Sequence, residues 1–235
     1  PNDITDADAV NITASISNQD SANLVYKVMF DADVTTPMLD DGAHGDGAAN
    51  DGVYGATIPA QAASTLVRFK VEATNTDGTA SSPSTDDSIN YHGYMVQDPS
   101  VTSNAPIINW FMDDADYTDM LANHVNDDAK IPTVIVYGND VYDSSEIGIR
   151  GEISRTFTKK GYKVWLPSGY TIQPVGAELA INEFRLNADF KSQTLAAVPT
   201  AWWALEQAGL PTPDIVPTRI QRNGQFEGMY VYMDK

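Results

Sequence analysis

Five of the 14 Lys and Arg residues of this chain fall within IRGEISRTFTKKGYKV, residues 149–164. They are Arg150, Arg155, Lys159, Lys160 and Lys163. Fixed positive charge gathered on one segment can hold an anionic group, and it equally suits a solvated face or a pairing with acidic surface elsewhere. On a strand, Lys159, Gly161 and Lys163 share one face, while Lys160, Tyr162 and Val164 share the other. Only one of Lys160 and Lys163 can therefore face a given site. A second set is acidic. In DDGAHGDGAANDGVYG, residues 40–55, Asp-Gly recurs at Asp41, Asp46 and Asp51. Clustered carboxylate oxygens suit Ca²⁺. Asp-Gly pairs equally suit tight turns, through side-chain-to-backbone bonds and positive φ. The spacing is not that of an EF-hand loop.

Other chemistry-bearing residues are scattered. His44, His92 and His124 lack metal-ligand spacing. Trp202 and Trp203 could form a sugar platform, but neighbours on a helix point about 100° apart, so one of them is expected in the core. Carboxylates in MDDADYTDM and HVNDDAK suit either Ca²⁺ or a solvated acidic helix.

The elements that would position these groups follow from composition and pattern. The chain has 235 residues, 32 acidic against 14 basic, for a net charge of -18, and no cysteine. That excludes disulfides and zinc–thiolate sites. It also argues against nucleic acid or anionic lipid as a whole-surface partner. No run approaches the ~18 apolar residues of a membrane-spanning helix, so no membrane insertion is expected. The opening PNDITDADAV reads as a mature form or an excised fragment. Charge is uneven: residues 1–149 carry four basic and 24 acidic residues, and residues 150–235 carry ten and eight. The two parts are expected to have different jobs.

Alternating runs begin at Val10, Leu24, Val53 and Thr65, separated by Gly- and Asp-containing turns. They predict an antiparallel sandwich over residues 1–95. The stretch 96–106, VQDPSVTSNAP, reads as a linker. Beyond it, INWFMDDADYTDMLAN predicts a strand and a helix capped by Asp113 or Asp114. IPTVIVYGNDVYDSSEIGIRG predicts two strands, and KVWLP and EFRLNADF one each. A helix is expected from Ser192 to Gly209, with Pro199 at N1 of its main part. IVPTRIQRNGQFEGMYVYMD predicts a hairpin with a type I′ turn at Asn223-Gly224.

These segments resemble a known family. IGIRGEISRTFTKKGYKVWL is similar to GxRxRGNSSRxxxKKSYKIxF of the spore-coat CotH family. EFRLNADF resembles its xxLNANxxD, and LEQAGLPTPDIVPTRIQRNGQFEGMYVYMDK its xxxxGVPAPxxxxVxxxxNGxYxGxYxxxE. The three motifs run in order over about 95 residues. Glu152 and Ile153 replace the Asn-Ser of the family, and Ala196 to Val198 stand where it carries an Arg. The Asp-Gly loop resembles DDGxHGDxxxxDGxY of immunoglobulin-like modules in secreted bacterial proteins.

The resemblance implies an immunoglobulin-like sandwich followed, over 107–235, by an α+β kinase-like N-lobe with a mostly antiparallel sheet. It implies a secreted or surface bacterial protein kinase that transfers phosphate from ATP, with Mg²⁺ or Mn²⁺, to Ser/Thr of extracellular proteins. Arg150, Arg155, Lys160 and Lys163 would bind nucleotide, with Glu206 as an ion-pair partner. Catalytic carboxylates would come from a C-terminal lobe outside this chain. Asp41, Asp46 and Asp51 remain the candidate Ca²⁺ ligands. The alternative is a non-catalytic adhesion, matrix or filament-forming protein of the cell surface, a homo-oligomer or filament in contact with other surface proteins.

Overall fold

The computed structural model describes residues 4–191, 194 and 196–234. It contains two compact units, Pro1–Val101 with Asn139–Asp143, and Thr102–Gly138 with Ser144–Lys235.

The first unit is a pair of antiparallel sheets. Strand β1 (Val10–Ser15) pairs with β4 (Val53–Ile58). In the second sheet β2 (Ser21–Val28) lies between β3 (Val34–Pro37) and β5 (Leu66–Asn75). β5 also pairs with β6 (Gly78–Ser82) and β7 (His92–Met95). Alternation decides which side chains enter the core. Val10, Leu24, Tyr26, Ile58, Val67 and Val71 are buried together, and each aliphatic side chain so placed stabilises by about 1.5–3 kcal/mol. Asp143, 3% exposed at its side chain, meets Arg68 Nη1 at 3.1 Å. Its other oxygen accepts the backbone N–H groups of Asn90 (3.1 Å) and Tyr91 (3.2 Å).

The second unit comprises β8 (Ile107–Phe111), α1 (Asp114–Asn123), β9 (Ile131–Tyr137), β10 (Asp140–Arg150), a 3₁₀ turn (Ile153–Thr156), β11 (Gly161–Trp165), β12 (Glu183–Asn187), α2 (Ala197–Gln207), β13 (Ile215–Arg222) and β14 (Gln225–Met233). Its strands close into a barrel in the order β10-β11-β12-β14-β13-β8-β9. The β13–β8 pairing is parallel. The β10–β11, β11–β12, β12–β14, β13–β14 and β8–β9 pairings are antiparallel. Buried aromatic rings fill the barrel. Tyr162 lies 5.0 Å from Trp110 and 6.0 Å from Tyr230, and Phe184 lies 5.2 Å from Tyr232.

This overturns the expected kinase-like α+β lobe: the molecule is nearly all β, and no such lobe is present among the described residues. The physical reason lies in the helices. An α+β layer needs a helix that buries an apolar stripe against a sheet. Here α1 buries only Met120, and no described residue of α2 is buried. The sheet covers its apolar face by closing on itself.

Local signals shape the connections. Asp113 caps α1, its Oδ1 accepting the Ala115 N–H at 2.7 Å. Pro199 is the third residue of α2 rather than its first, still within the turn whose N–H groups need no helical partner. Of the expected start of that helix, residues 192, 193 and 195 lie outside the described residues. At its end the Gly209 N–H (φ +75°) bonds Glu206 O and the Leu210 N–H bonds Leu205 O, which is the Schellman pattern. Asn223 and Gly224 both have positive φ, 49° and 77°, as a type I′ turn requires.

Candidate functional site

The basic segment runs from the end of β10 through the 3₁₀ turn into β11. Gly151 makes the corner at φ +108°, where an added Cβ would lie 1.9 Å from Ser154 Oγ. Within the segment most cations are tied to the chain itself. Arg155 donates to the carbonyl oxygens of Gly151, Val125 and Asp127 and pairs with Asp128 Oδ1 at 2.7 Å. Lys160 Nζ donates to Arg155 O at 2.6 Å. Lys159 Nζ donates to Ala188 O at 3.0 Å and to Met229 O, and stands 4.2 Å above the Tyr230 ring. Burial holds its pKa below that of an ordinary lysine, against the opposing pull of Asp189 and Glu227. Lys163 Nζ meets Glu183 Oε1 at 2.8 Å and lies 4.7 Å above the Trp165 ring.

Arg150 differs. It is half-buried and paired with Gly161, over which its own side chain lies: an added Cβ there would meet Arg150 Cγ at 3.6 Å. No carboxylate among the described residues pairs with it. Burial, and then the charge of Arg185, push its pKa down. It lines a cleft of about 280 Å³ with Ser154, Phe157, Asn187, Asp189, Phe190 and Lys191. The Phe157 and Phe190 rings stack 5.5 Å apart, and Lys191 Nζ lies 5.1 Å from the Phe157 ring. Asp189 Oδ2 is buried without a hydrogen bond among the described residues. A guanidinium, an ammonium, one carboxylate and two rings could hold a small anion or zwitterion.

The structure thus places Arg150 alone of the candidate nucleotide-binding residues on this cleft. Arg155 and Lys160 brace its loop, and Lys163 is bound to Glu183. Glu206, on α2, lines a separate cleft of about 360 Å³ with Trp202 and Trp203. Sequence reasoning missed Phe157, Asp189 and Phe190. The signal for the last two was the ADF that follows the β12 strand, residues a strand reading leaves outside its pattern.

The aspartates of the 40–55 loop cap backbone groups. Asp46 is 2% exposed, and its Oδ2 accepts the N–H groups of Asp41 (2.9 Å) and Gly42 (3.1 Å). Asp41 Oδ1 accepts from Ala43 N at 2.9 Å. Asp51 accepts from Ala48 N (3.1 Å) and Val53 N (3.0 Å). Among the described residues no group of three or more His, Asp or Glu side chains is placed to hold a metal ion. His124 bridges two carboxylates, Asp127 at 2.8 Å and Asp119 at 3.3 Å, and the bond to Asp127 raises its pKa.

A polar network lies beside the core of the barrel. Tyr117 Oη donates to Glu227 Oε1 at 3.2 Å, and Arg222 lies 4.0 Å above the Tyr117 ring. Arg222 also meets Asp114 Oδ1 at 2.6 Å. The hydroxyls of Tyr162 and Tyr230 are held far above their ordinary pKa, first by burial. Both hydroxyls stay protonated at neutral pH.

None of the curated proteins compared with the chain matches it. Residues 5–90 match the model of the second Ig-like domain of conditioned medium factor. The two-sheet architecture agrees with that match, and the first unit carries an immunoglobulin-like domain.

Proposed function

We propose that this chain is a non-catalytic structural or adhesive part of a secreted or cell-surface bacterial protein that contacts other extracellular proteins. One observation carries the reading. Four of the five cations of the basic segment end on carbonyls and carboxylates of the chain itself, so their charge supports the loop and barrel. Polyphosphate transfer depends on cations free to neutralise the transferred group. The Ig-like domain, a module suited to display and contact, agrees with the reading.

A second reading keeps the CotH resemblance. It gives the barrel the nucleotide-binding role in a surface protein kinase that takes ATP with Mg²⁺ or Mn²⁺. Arg150 favours it, as a half-buried guanidinium on an open cleft with no acidic partner among the described residues. Calorimetric titration with ATP and Mg²⁺ separates the two. The adhesive reading expects no saturable heat. A nanomolar complex that Arg150→Gln abolishes would replace it with the kinase reading.

A further inference from the structure

The Glu206 cleft lies away from the basic segment and has its own chemistry. Helix α2, AVPTAWWALEQ, is apolar along most of its length, yet none of its described residues is buried. Trp203 is 61% exposed, and Leu205, Leu210, Leu179 and Val175 are exposed as well. Isolated exposed apolar residues are ordinary, but Trp203 lines a concavity with the half-buried Trp202, Pro199 and Pro213, and a concave apolar lining marks a binding surface. The cleft, about 360 Å³, is walled by Pro199, Trp202, Trp203 and Pro213 and carries the carboxylates of Glu178, Glu206 and Asp214. No lysine or arginine lines it. Among the described residues Glu178 and Glu206 have no cationic partner. Asp214 Oδ2 accepts the N–H groups of Glu178 (2.7 Å) and Leu179 (3.1 Å), and the Asp214 N–H reaches Asp234 Oδ1 at 3.1 Å. The Asp234 carboxyl beside it is pushed up, first by burial and then by Asp214, with Arg185 pulling the other way.

We propose that this cleft docks a segment of a partner protein in which a lysine or arginine is flanked by apolar residues. The cationic head would sit against an indole face and the Glu178 and Glu206 carboxylates. Its apolar neighbours would cover Trp203, Pro199 and Pro213. A guanidinium or ammonium gains from both features of the site, the aromatic face and the unpaired carboxylates. A neutral sugar can stack and donate hydroxyl hydrogen bonds to the carboxylates, but it brings no opposite charge to them. Tryptophan and arginine are also the residues that dominate protein interfaces. The inference rests on the surface-protein reading and names the kind of partner involved.

The test uses the whole chain and two synthetic peptides, Ac-Leu-Arg-Leu-Leu-NH₂ and the same peptide with neutral citrulline in place of arginine. Calorimetry is expected to show saturable millimolar binding of the arginine peptide. Glu206→Gln, Trp203→Ala and the citrulline exchange should each weaken it about tenfold, with circular dichroism unchanged in both variants. Equal binding of the two peptides, or no saturable binding of the arginine peptide, overturns the proposal. So does saturation by cellotriose lost in Trp203→Ala, which would make the cleft a sugar site. Concentration-dependent self-association lost in Trp203→Ala would give the surface to a second copy and also overturn it. The ATP titration probes the other cleft, so failure of the docking proposal is distinguishable from failure of the surface-protein reading.

Discussion

Asn223 holds the tip of the β13–β14 hairpin against the start of α1 with side chain and backbone together. Its Oδ1 accepts the Met112 N–H at 3.0 Å, its Nδ2 donates to Met112 O at 2.8 Å, and its own N–H reaches Trp110 O at 2.9 Å. Met112 is fully buried, so no water replaces a lost partner. Asn also tolerates the positive φ of 49° at this position. Asn223→Ala therefore leaves a buried amide and carbonyl unsatisfied and strains the turn, and should cost about 1–3 kcal/mol. Hydrogen exchange checks this: the Met112 amide should exchange faster in the variant, and unchanged protection would refute the argument. The sequence announced the turn at this residue, because Asn-Gly between alternating runs is a strong local signal. It did not announce the bonds to Met112, 111 positions away along the chain, since no local pattern encodes them.

At the scale of elements, alternation made the strands legible. β1, β2, β4 and β5 fall on the runs from Val10, Leu24, Val53 and Thr65. The parallel pairing of β8 with β13 was not legible, because it joins segments with most of the second unit's elements between them. Without it, the same strands suit an open sheet with helices against it, which is the architecture the resemblance suggested. The surroundings of the cations were hidden for a related reason. Lys159 belongs to a charge run in sequence, but its ammonium closes over carbonyls from the β12 and β14 regions, a contact only the barrel creates. The buried Asp143 was equally silent in sequence. It compensates Arg68 and fixes the backbone ahead of β7 through Asn90 and Tyr91. Asp143→Ala leaves a buried guanidinium without its counter-charge, and should destabilise the first unit by about 3–5 kcal/mol. A lowered melting transition with faster exchange at the Asn90 and Tyr91 amides is the expected result. An unchanged melt would show that the pair contributes nothing.

For the molecule as a whole, charge sets the solution behaviour. A net charge of -18 on 235 residues repels itself when folded more than when expanded. Added salt should therefore stabilise. The Debye length falls from about 30 Å at 0.01 M to about 3 Å at 1 M, so the melting temperature should rise as NaCl increases over that range. A flat or falling curve would mean that screening weakens the structural ion pairs, such as Lys163–Glu183 and Arg222–Asp114, as much as it relieves the repulsion.

Closure of the seven-stranded sheet has a further consequence for how copies of this chain could join. A sheet that returns to its own first strand presents no unpaired rim of amide and carbonyl groups. The barrel is thereby protected from growing by strand addition, the usual route to fibrous aggregates. Any polymer built through this unit must be joined by side-chain surfaces, and its subunits could separate without unravelling a strand.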